Sequence, residues 1–508
     1  MFNVVNPSQN AAARASGVYR IAHYLRQNSW DVEVIDFAFS WSLDELKELA
    51  KSRVTTNTKF FGFGHMFSDW NDTLESFIIW CKSQWPDLKY ISGSSANPVF
   101  QTTQFDYYIR GYGEKAILVL LEYLFSNGEK PKFWINTGKK IINAIADYPS
   151  YPMEDLGVQY QSRDFIEPWE WLTVEFSRGC MFSCDFCNFP LLGVKEDTSR
   201  SAESFKTEMF KNYEELGVTN YIVADETFND RPSKIKKFAD VAESLPFETF
   251  YSGFIRPDLL VSRPDDRVDL ARMNFRGHFY GIESFNHKSA KVVGKGMKTE
   301  RLQQGLVDVK NYFKSTGNGL YRGTISLIVG LPDETEETML RTRDWLIKNW
   351  SGENIILFPL TIPVGDLLSK PKMFDYEKYG YSEMNIDNIN SQNLIVPAFS
   401  LVTDNNKFDI DGLCWQNKDM NLLEAREIMF KYFYTPEFSK AMNWKVGNYE
   451  MSSYCYGNKT PEQRMNIDSS LSVAALSMKD DNFKSKQFMF DFAKDNFIET
   501  YKRRKLSL

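Results

Sequence analysis

A chain of 508 residues exceeds what one hydrophobic core supports, so two to three domains are expected. Its 43% hydrophobic and 25% charged residues are those of an ordinary globular protein, and a net charge of −7 argues against a broad nucleic-acid surface. No run of about eighteen apolar residues offers a membrane span, no charged-then-apolar leader opens the chain, and six cysteines do not make a disulfide framework, so a reducing, cytoplasmic setting is expected.

The first third alternates strand and helix patterns. FNVV is followed by a polar loop, a helical stretch GVYRIAHYLRQNS and a strand-like DVEVIDF. Strand patterns recur at Phe60 to Met66, at KYISG ending in Gly93, and at Phe105 to Arg110, with helices around Thr73 to Gln84 and Lys115 to Phe125. Such alternation predicts a doubly wound parallel sheet over residues 1–128, with ligands at the loops that follow the strands. Residues 129–170 carry prolines at 131, 149, 152 and 168 with weak periodicity and read as a linker.

The stretch LTVEFSRGCMFSCDFCNFP, Leu172 to Pro190, then places Cys180, Cys184 and Cys187 within eight residues, behind a strand-like run. Three thiolates so close repel one another unless a cation holds them, which points to a metal or an iron–sulfur cluster. A structural zinc site wants four ligands in two pairs, and no second pair lies near in sequence. A cubane with three cysteine ligands leaves one iron open for a ligand. A zinc knob or three buried thiols is the alternative. Gly179 permits a tight turn ahead of the first cysteine, and Phe186 puts an aromatic face before the third.

Repeated strand–helix units follow. Strands are expected at Tyr221 to Ala224, TFYSGFI, HFYGIES, TISLIVG and NIILFPLTIP, with helices at Ala202 to Leu216, Ser233 to Ser244, Thr299 to Lys314 and up to Asn349. The run suits a partial β/α barrel over 171–365 whose chemistry sits at the strands' C-terminal ends. Asp225 and Glu226, Arg256 and Glu283 all fall at such ends. Each has a plain alternative: a helix cap for Asp225 and Glu226, a surface ion pair for Arg256, a rim salt bridge for Glu283. Arg178 reads as a brace for the cysteine loop. Residues 366–508 are expected to form a mostly helical, substrate-selecting cap, with helices at Leu422 to Tyr432 and Lys484 to Lys502. Cys414 and Cys455 read as small buried residues, and Lys502, Arg503, Arg504 and Lys505 as a solvated tail.

The Cys-x-x-x-Cys-x-x-Cys spacing with Phe186 ahead of the third cysteine resembles the radical S-adenosylmethionine (SAM) superfamily. The resemblance implies a [4Fe-4S] cluster on Cys180, Cys184 and Cys187 that binds SAM at its open iron and cleaves it to methionine and a 5'-deoxyadenosyl radical. It also implies that Asp225 and Glu226 receive the methionine amino group, Arg256 its carboxylate and Glu283 the ribose hydroxyls. GLPDET at 330–335 resembles a signature of the cobalamin-associated members, with Asp333 in place of a glycine; Gly330 permits the turn there and Thr335 can cap the next helix.

The first domain resembles the cobalamin-binding domain found upstream of many such enzymes. The matching pieces are Asn6 with Pro7, the loop beginning Gly93-Ser94, and the turn containing Gly113 and Glu114. It departs from other cobalamin proteins in lacking the Asp-x-His-x-x-Gly signature, and His65 stands alone as a core or loop histidine. The resemblance therefore implies cobalamin-dependent methylation of an unactivated carbon, with an electron donor such as flavodoxin or ferredoxin and a small-molecule or peptide substrate. A cobalamin-independent radical enzyme and a non-catalytic metal-binding scaffold are the other readings. Methylthio transfer would need three cysteines in the first domain, which has Cys81 alone.

Overall fold

A computed structural model describes residues 1–4, 14–65, 72–94, 104–136, 139–149, 157–168, 170–187, 198–316, 321–362, 372–384, 413–433, 435–442 and 497–508. Their strands form two six-stranded sheets and two short ribbons. The first sheet contains β1 (Phe2–Val4), β2 (Phe60–His65), β3 (Lys89–Ser94), β4 (Tyr107–Arg110), β5 (Trp134–Asn136) and β6 (Lys139–Asn143), in the spatial order β1-β2-β3-β4-β6-β5. All its pairings are parallel except the β5–β6 hairpin.

Both faces of this sheet are covered, as a doubly wound sheet requires. Ile91, Ile109 and Ile142 pack under the helices Ser16–Gln27 and Glu114–Phe125, while Phe2, Phe63 and Tyr90 pack under Leu43–Arg53 and Asp72–Gln84. The helix at Leu43 starts where the pattern Ser-x-x-Glu predicts: Ser42 and Glu45 form a reciprocal capping box.

Three expectations need correction. DVEVIDF is not a sheet strand, since only Ile35 meets the sheet, by a single bridge to Phe2. The three-residue β1 offers it no longer ladder, and Phe37 turns the chain at φ 55°. The expected linker supplies β5 and β6, which extend the first sheet. The basic tail is only half solvated: Arg503 and Arg504 are exposed, but Lys502 and Lys505 are buried. At 497–507 the chain is helical, Ile498 and Tyr501 enter the core beneath the first sheet, and the Lys505 side chain has 0% exposure and pairs with Glu33 at 3.0 Å. An amphipathic helix buries its apolar stripe and leads its lysine stems to carboxylates, here also Lys502 to Glu45 at 2.8 Å. Asn6, Cys455 and residues 484–496 lie outside the described residues, as do the side chains of His65 and Ser94.

The second sheet runs in sequence order: β7 (Trp171–Val174), then β10 (Asn220–Val223), β11 (Phe250–Ile255), β12 (Phe275–Glu283), β13 (Arg322–Val329) and β14 (Asn354–Pro359). Between β7 and β10 a ribbon pairs β8 (Ser177–Arg178) with β9 (Thr198–Ser199). Every pairing in the second sheet is parallel, and β7 and β14 remain edges, so the sheet is a six-stranded partial barrel. Its core is continuous with one face of the first sheet: Val18 and Tyr19 belong to the same apolar cluster as Leu172, Val174 and Tyr221. No helix among the described residues is long and apolar enough to cross a membrane.

Candidate functional site

Parallel strands bring six C-terminal ends to one edge, and the cysteine loop begins there after β7. Gly179 turns it at φ 102°. Cys180, Cys184 and Cys187 are partly exposed and form no disulfide. Cys180 Sγ lies 3.5 Å from Thr227 Oγ1, and the Cys187 N–H donates to the Cys184 carbonyl at 3.1 Å, closing a tight turn. Phe186 inside that turn packs against the core. Asp185 clamps the turn to residues beyond the barrel. Its carboxylate accepts from Lys372 Nζ (2.7 Å) and Tyr379 Oη (2.8 Å), and its carbonyl accepts from the Met373 N–H (3.0 Å).

Among the described residues, no three Cys, His, Asp or Glu side chains converge as the ligands of one metal ion would. A zinc knob needs such convergence. A cubane takes one thiolate on each of three irons, a donor set that three partly exposed cysteines on one loop can supply.

Arg256, from the end of β11, reaches this loop. Its guanidinium lies 3.7 Å from the Phe182 ring centre, its Nη1 is 3.6 Å from Cys184 Sγ, and Asp258 accepts from its Nε at 3.0 Å. Glu283 ends β12 in a left-handed conformation, φ 66°, where the β12–β13 register shifts. Lys295 Nζ lies 3.1 Å from Glu283 Oε1 and donates to the Gly281 carbonyl at 2.6 Å. A Cβ at Gly281 would sit 2.8 Å from Glu283 Oε1 and 3.3 Å from Lys295 Nζ, so a side chain there would push this pair aside.

Asp225 and Glu226 part company. Asp225 is buried and its oxygens accept from the Phe176 N–H (2.7 Å) and the Ser177 hydroxyl (2.6 Å), with Lys234 Nζ 3.7 Å away. Burial pushes its carboxyl up to about 7. It braces the strand end that launches the loop, and it caps no helix. Glu226 accepts from Tyr112 Oη at 2.7 Å and from the Gly179 N–H at 3.2 Å, and burial raises its pKa.

Tyr112 belongs to the turn before the helix at Glu114, so the first sheet reaches the cysteine loop through it. Glu114, expected to face a ligand, is instead buried against Arg178. Arg178 also bonds Glu175 at 3.1 Å and stands 4.0 Å above the Tyr112 ring. Although burial opposes its charge, Glu175 is held down to about 2 by Arg178 and Arg20. The brace read from the sequence at Arg178 is thus a connection between the two sheets.

At the first sheet's loop edge, Gly93 is the penultimate residue of β3 and Gly113 directly precedes the helix Glu114–Phe125. The register puts Ser92, Arg110 and Asn143 on one face, where Ser92 Oγ and Asn143 Oδ1 are buried without a hydrogen-bond partner. Orphaned polar atoms below strand ends fit a polar ligand such as a cobalamin, which would satisfy them.

Four residues that sequence reasoning missed complete the arrangement: Tyr112, Asp185, Lys295 and Glu334. Tyr112, Asp185 and Glu334 lie inside motifs that drew notice for other members. Glu334 accepts from the Ser284 hydroxyl (2.7 Å) and the Gly330 N–H (2.9 Å), tying the β13 turn to Glu283's neighbour. Gly330 itself, at φ 99°, has Trp415 packed where a Cβ would be, and Thr335 caps the following helix.

Burial pushes the Glu334 carboxyl up to about 7. A raised carboxyl favours the fold while protonated, so its contribution is full below the unfolded value of about 4.5 and is lost as pH rises through about 7. Glu334→Gln, whose amide can serve both partners because the Ser284 hydroxyl can turn to accept, should flatten that fall. At about pH 8 it should be the more stable by about 2–3 kcal/mol. Urea midpoints of both proteins across that range test this, and equal slopes would refute it.

Asp333 occupies a left-handed position, φ 62°, which explains why glycine is usual in the signature it resembles. Its carboxylate meets Lys418 Nζ at 2.7 Å. Asp333→Ala and Asp333→Gly both lose that pair, so their difference isolates the backbone. Gly should be the more stable by about 1 kcal/mol, and thermal melts showing Ala equal to Gly would dismiss strain at this turn.

Comparison with known proteins gives a family model described as the radical SAM superfamily, matching residues 174–346. A protein of Methanocaldococcus jannaschii, named provisionally as a methylthiotransferase, is 27% identical over 229 residues, covering 41% of this chain and 49% of its own. An uncharacterized methyltransferase of Pyrococcus horikoshii is 26% identical over 168 residues, covering 33% and 34%. The matched region thus spans half or less of these curated relatives.

The fold extends further than the sequence identity. A structure of the cobalamin-dependent SAM radical enzyme OxsB with aqua-cobalamin bound superposes with TM-score 0.59 at 14% identity, covering 100% of this chain and 80% of that one. TsrM from Kitasatospora setae, a radical SAM methyltransferase with cobalamin and a [4Fe-4S] cluster bound, gives 0.57 at 12% identity, covering 99% and 98%.

Proposed function

Because this chain belongs to the radical SAM superfamily, we propose that it is a cobalamin-dependent radical methylase. In this reading Cys180, Cys184 and Cys187 hold a [4Fe-4S] cluster. The carrying observation is that three partly exposed cysteines, none of them in a disulfide, stand on one loop at the barrel's C-terminal edge, beside the Arg256 guanidinium. When bound, the cluster supplies the electron that cleaves SAM, and cobalamin supplies a methyl carrier.

The chain's own groups do the rest. Arg256, held by Asp258 and Phe182, faces the loop as a partner for the methionine carboxylate. Glu283 is oriented by Lys295 for the ribose hydroxyls. Glu226 orients the Gly179 peptide, and with it the loop, while Asp225 serves as a brace. Ser92 and Asn143 offer the first sheet's cofactor their unpaired oxygens. A flavodoxin or ferredoxin would deliver electrons at the loop's outer face, where Met181 is exposed.

A cobalamin-independent radical enzyme is the second reading. It is favoured by the first domain's lack of the Asp-x-His-x-x-Gly signature that supplies a histidine to cobalt in other cobalamin proteins. Anaerobic reconstitution with iron, sulfide and hydroxocobalamin, then dithionite and SAM, separates the two. Stoichiometric corrin and 5'-deoxyadenosine that vanishes in Cys180→Ala are expected. Deoxyadenosine without corrin selects the second reading, and iron-free protein with no SAM cleavage refutes both.

A further inference from the structure

The cysteine loop is held from two sides. Its first half belongs to the barrel: the Gly179 N–H donates to Glu226, and Cys180 Sγ lies 3.5 Å from Thr227 Oγ1, both partners following β10. Its second half, the turn Cys184–Cys187, owes the barrel less. Arg256 Nη1 approaches Cys184 Sγ at 3.6 Å, and the Asp185 N–H reaches the Val293 carbonyl only at 3.4 Å. Shorter bonds come from residues 372–379. Lys372 Nζ donates to the Ser183 carbonyl at 3.1 Å and to Asp185 Oδ1 at 2.7 Å. Tyr379 Oη donates to Asp185 Oδ2 at 2.8 Å, and the Met373 N–H donates to the Asp185 carbonyl at 3.0 Å.

The clamping segment is itself anchored. Met373 and Tyr381 are buried in the core, Tyr381 Oη donates to the Gly330 carbonyl at 2.7 Å, and Ser382–Glu383 pairs with Trp415–Gln416 in a ribbon. Asp185 meets this segment with one oxygen for each of two donors. The Lys372 side chain is 60% exposed, so its ion pair contributes little. Tyr379 is half-buried and is the directional partner. A cubane fixes the spacing of its irons, so thiolates on a turn free to drift would lose their common geometry. Groups behind the ligands supply that rigidity in metal sites.

We infer that Asp185 is a positioning residue: through its carboxylate, residues 372–379, which lie outside the barrel, fix the Cys184–Cys187 turn relative to Cys180. This rests on the proposed cluster and goes beyond it by making a segment outside the barrel part of the site that holds it. The Met373 backbone bond does not need the carboxylate, so replacing Asp185 leaves the segment docked and isolates the side chain's part.

The test uses the full chain reconstituted anaerobically with iron and sulfide, and follows the release of iron to the chelator ferrozine, the EPR spectrum of the dithionite-reduced protein, and melting of the iron-free chain. Asp185→Ala should release iron about tenfold faster or more, with a changed EPR line shape and unchanged melting of the iron-free chain. Tyr379→Phe, which removes only the hydroxyl, should fall between Asp185→Ala and the wild type. Lys372→Met should stay within about twofold of the wild type, because its pair is exposed. Iron release and an EPR spectrum in Asp185→Ala that match the wild type overturn the inference. So does a loss of melting temperature in the iron-free Asp185→Ala chain that accounts for the iron lost, since Asp185 would then act on the fold alone. The cluster reading fails separately: a wild-type chain that takes up no iron with sulfide refutes it, whereas a wild-type cluster that Asp185→Ala holds equally well refutes the positioning role alone.

Discussion

Replacing Arg178 with Met should lower stability by about 3–5 kcal/mol, because it strands the buried Glu114 carboxylate and removes one of the two cations on Glu175. The side chains of Arg178 and Glu114 are 2% and 3% exposed, and Glu175, with Arg20 as its remaining partner, is 11% exposed. The same change removes the cation above Tyr112, whose hydroxyl orients Glu226 and through it the Gly179 peptide. Lower iron incorporation should therefore accompany the loss. Adding Glu114→Gln to Arg178→Met should recover about half of the stability, because a neutral amide is far less costly to bury than a lone carboxylate. The measurement is a double-mutant cycle of urea midpoints with slopes compared. A single-variant cost below about 1 kcal/mol would mean that water reaches these carboxylates and that the connection between the sheets does not depend on Arg178.

Tyr501→Ala should cost a similar amount, about 3–5 kcal/mol, by opening a cavity between the final helix and the first sheet. The Tyr501 ring meets Phe37 at 5.2 Å and Trp41 at 6.5 Å, its hydroxyl accepts from the Asp36 N–H at 2.9 Å, and the Arg14 guanidinium stands 5.1 Å from its centre. Arg14 in turn bonds Glu170 at 2.7 Å, just ahead of the barrel. Loosening Tyr501 should therefore raise hydrogen exchange in 497–508, in β1 and around Glu170 together. Arg503→Ala, on the exposed side of the same helix, should change stability by less than about 0.5 kcal/mol. If the two variants behaved alike, the helix would not be docked in solution as the structure has it.

These two positions mark where sequence reasoning stopped. Period-2 and period-3.6 patterns report which side of an element is buried, and they recovered the second sheet's strands and most of the first's. They failed at DVEVIDF because alternation reports burial without guaranteeing a neighbouring strand, and at 134–143 because a short hairpin among prolines has too little periodicity to read. Lys502 and Lys505 misled because charge predicts exposure only until a carboxylate is waiting, and nothing near them in sequence announces Glu45 or Glu33.

The sequence by itself determined the cysteine loop, the strand ends that carry Asp225, Arg256 and Glu283, and the Gly330 turn, because spacing, strand termini and left-handed turns are set within a few residues. Only the tertiary structure decided who answers whom. Arg178 finds Glu114 across 64 residues, Tyr112 finds Glu226 across 114, and Lys505 finds Glu33 across 472. A residue's type fixes what it must pair with once buried. Which partner arrives depends on how the two sheets pack, and that follows from the shared core between them, with no local signal to encode it.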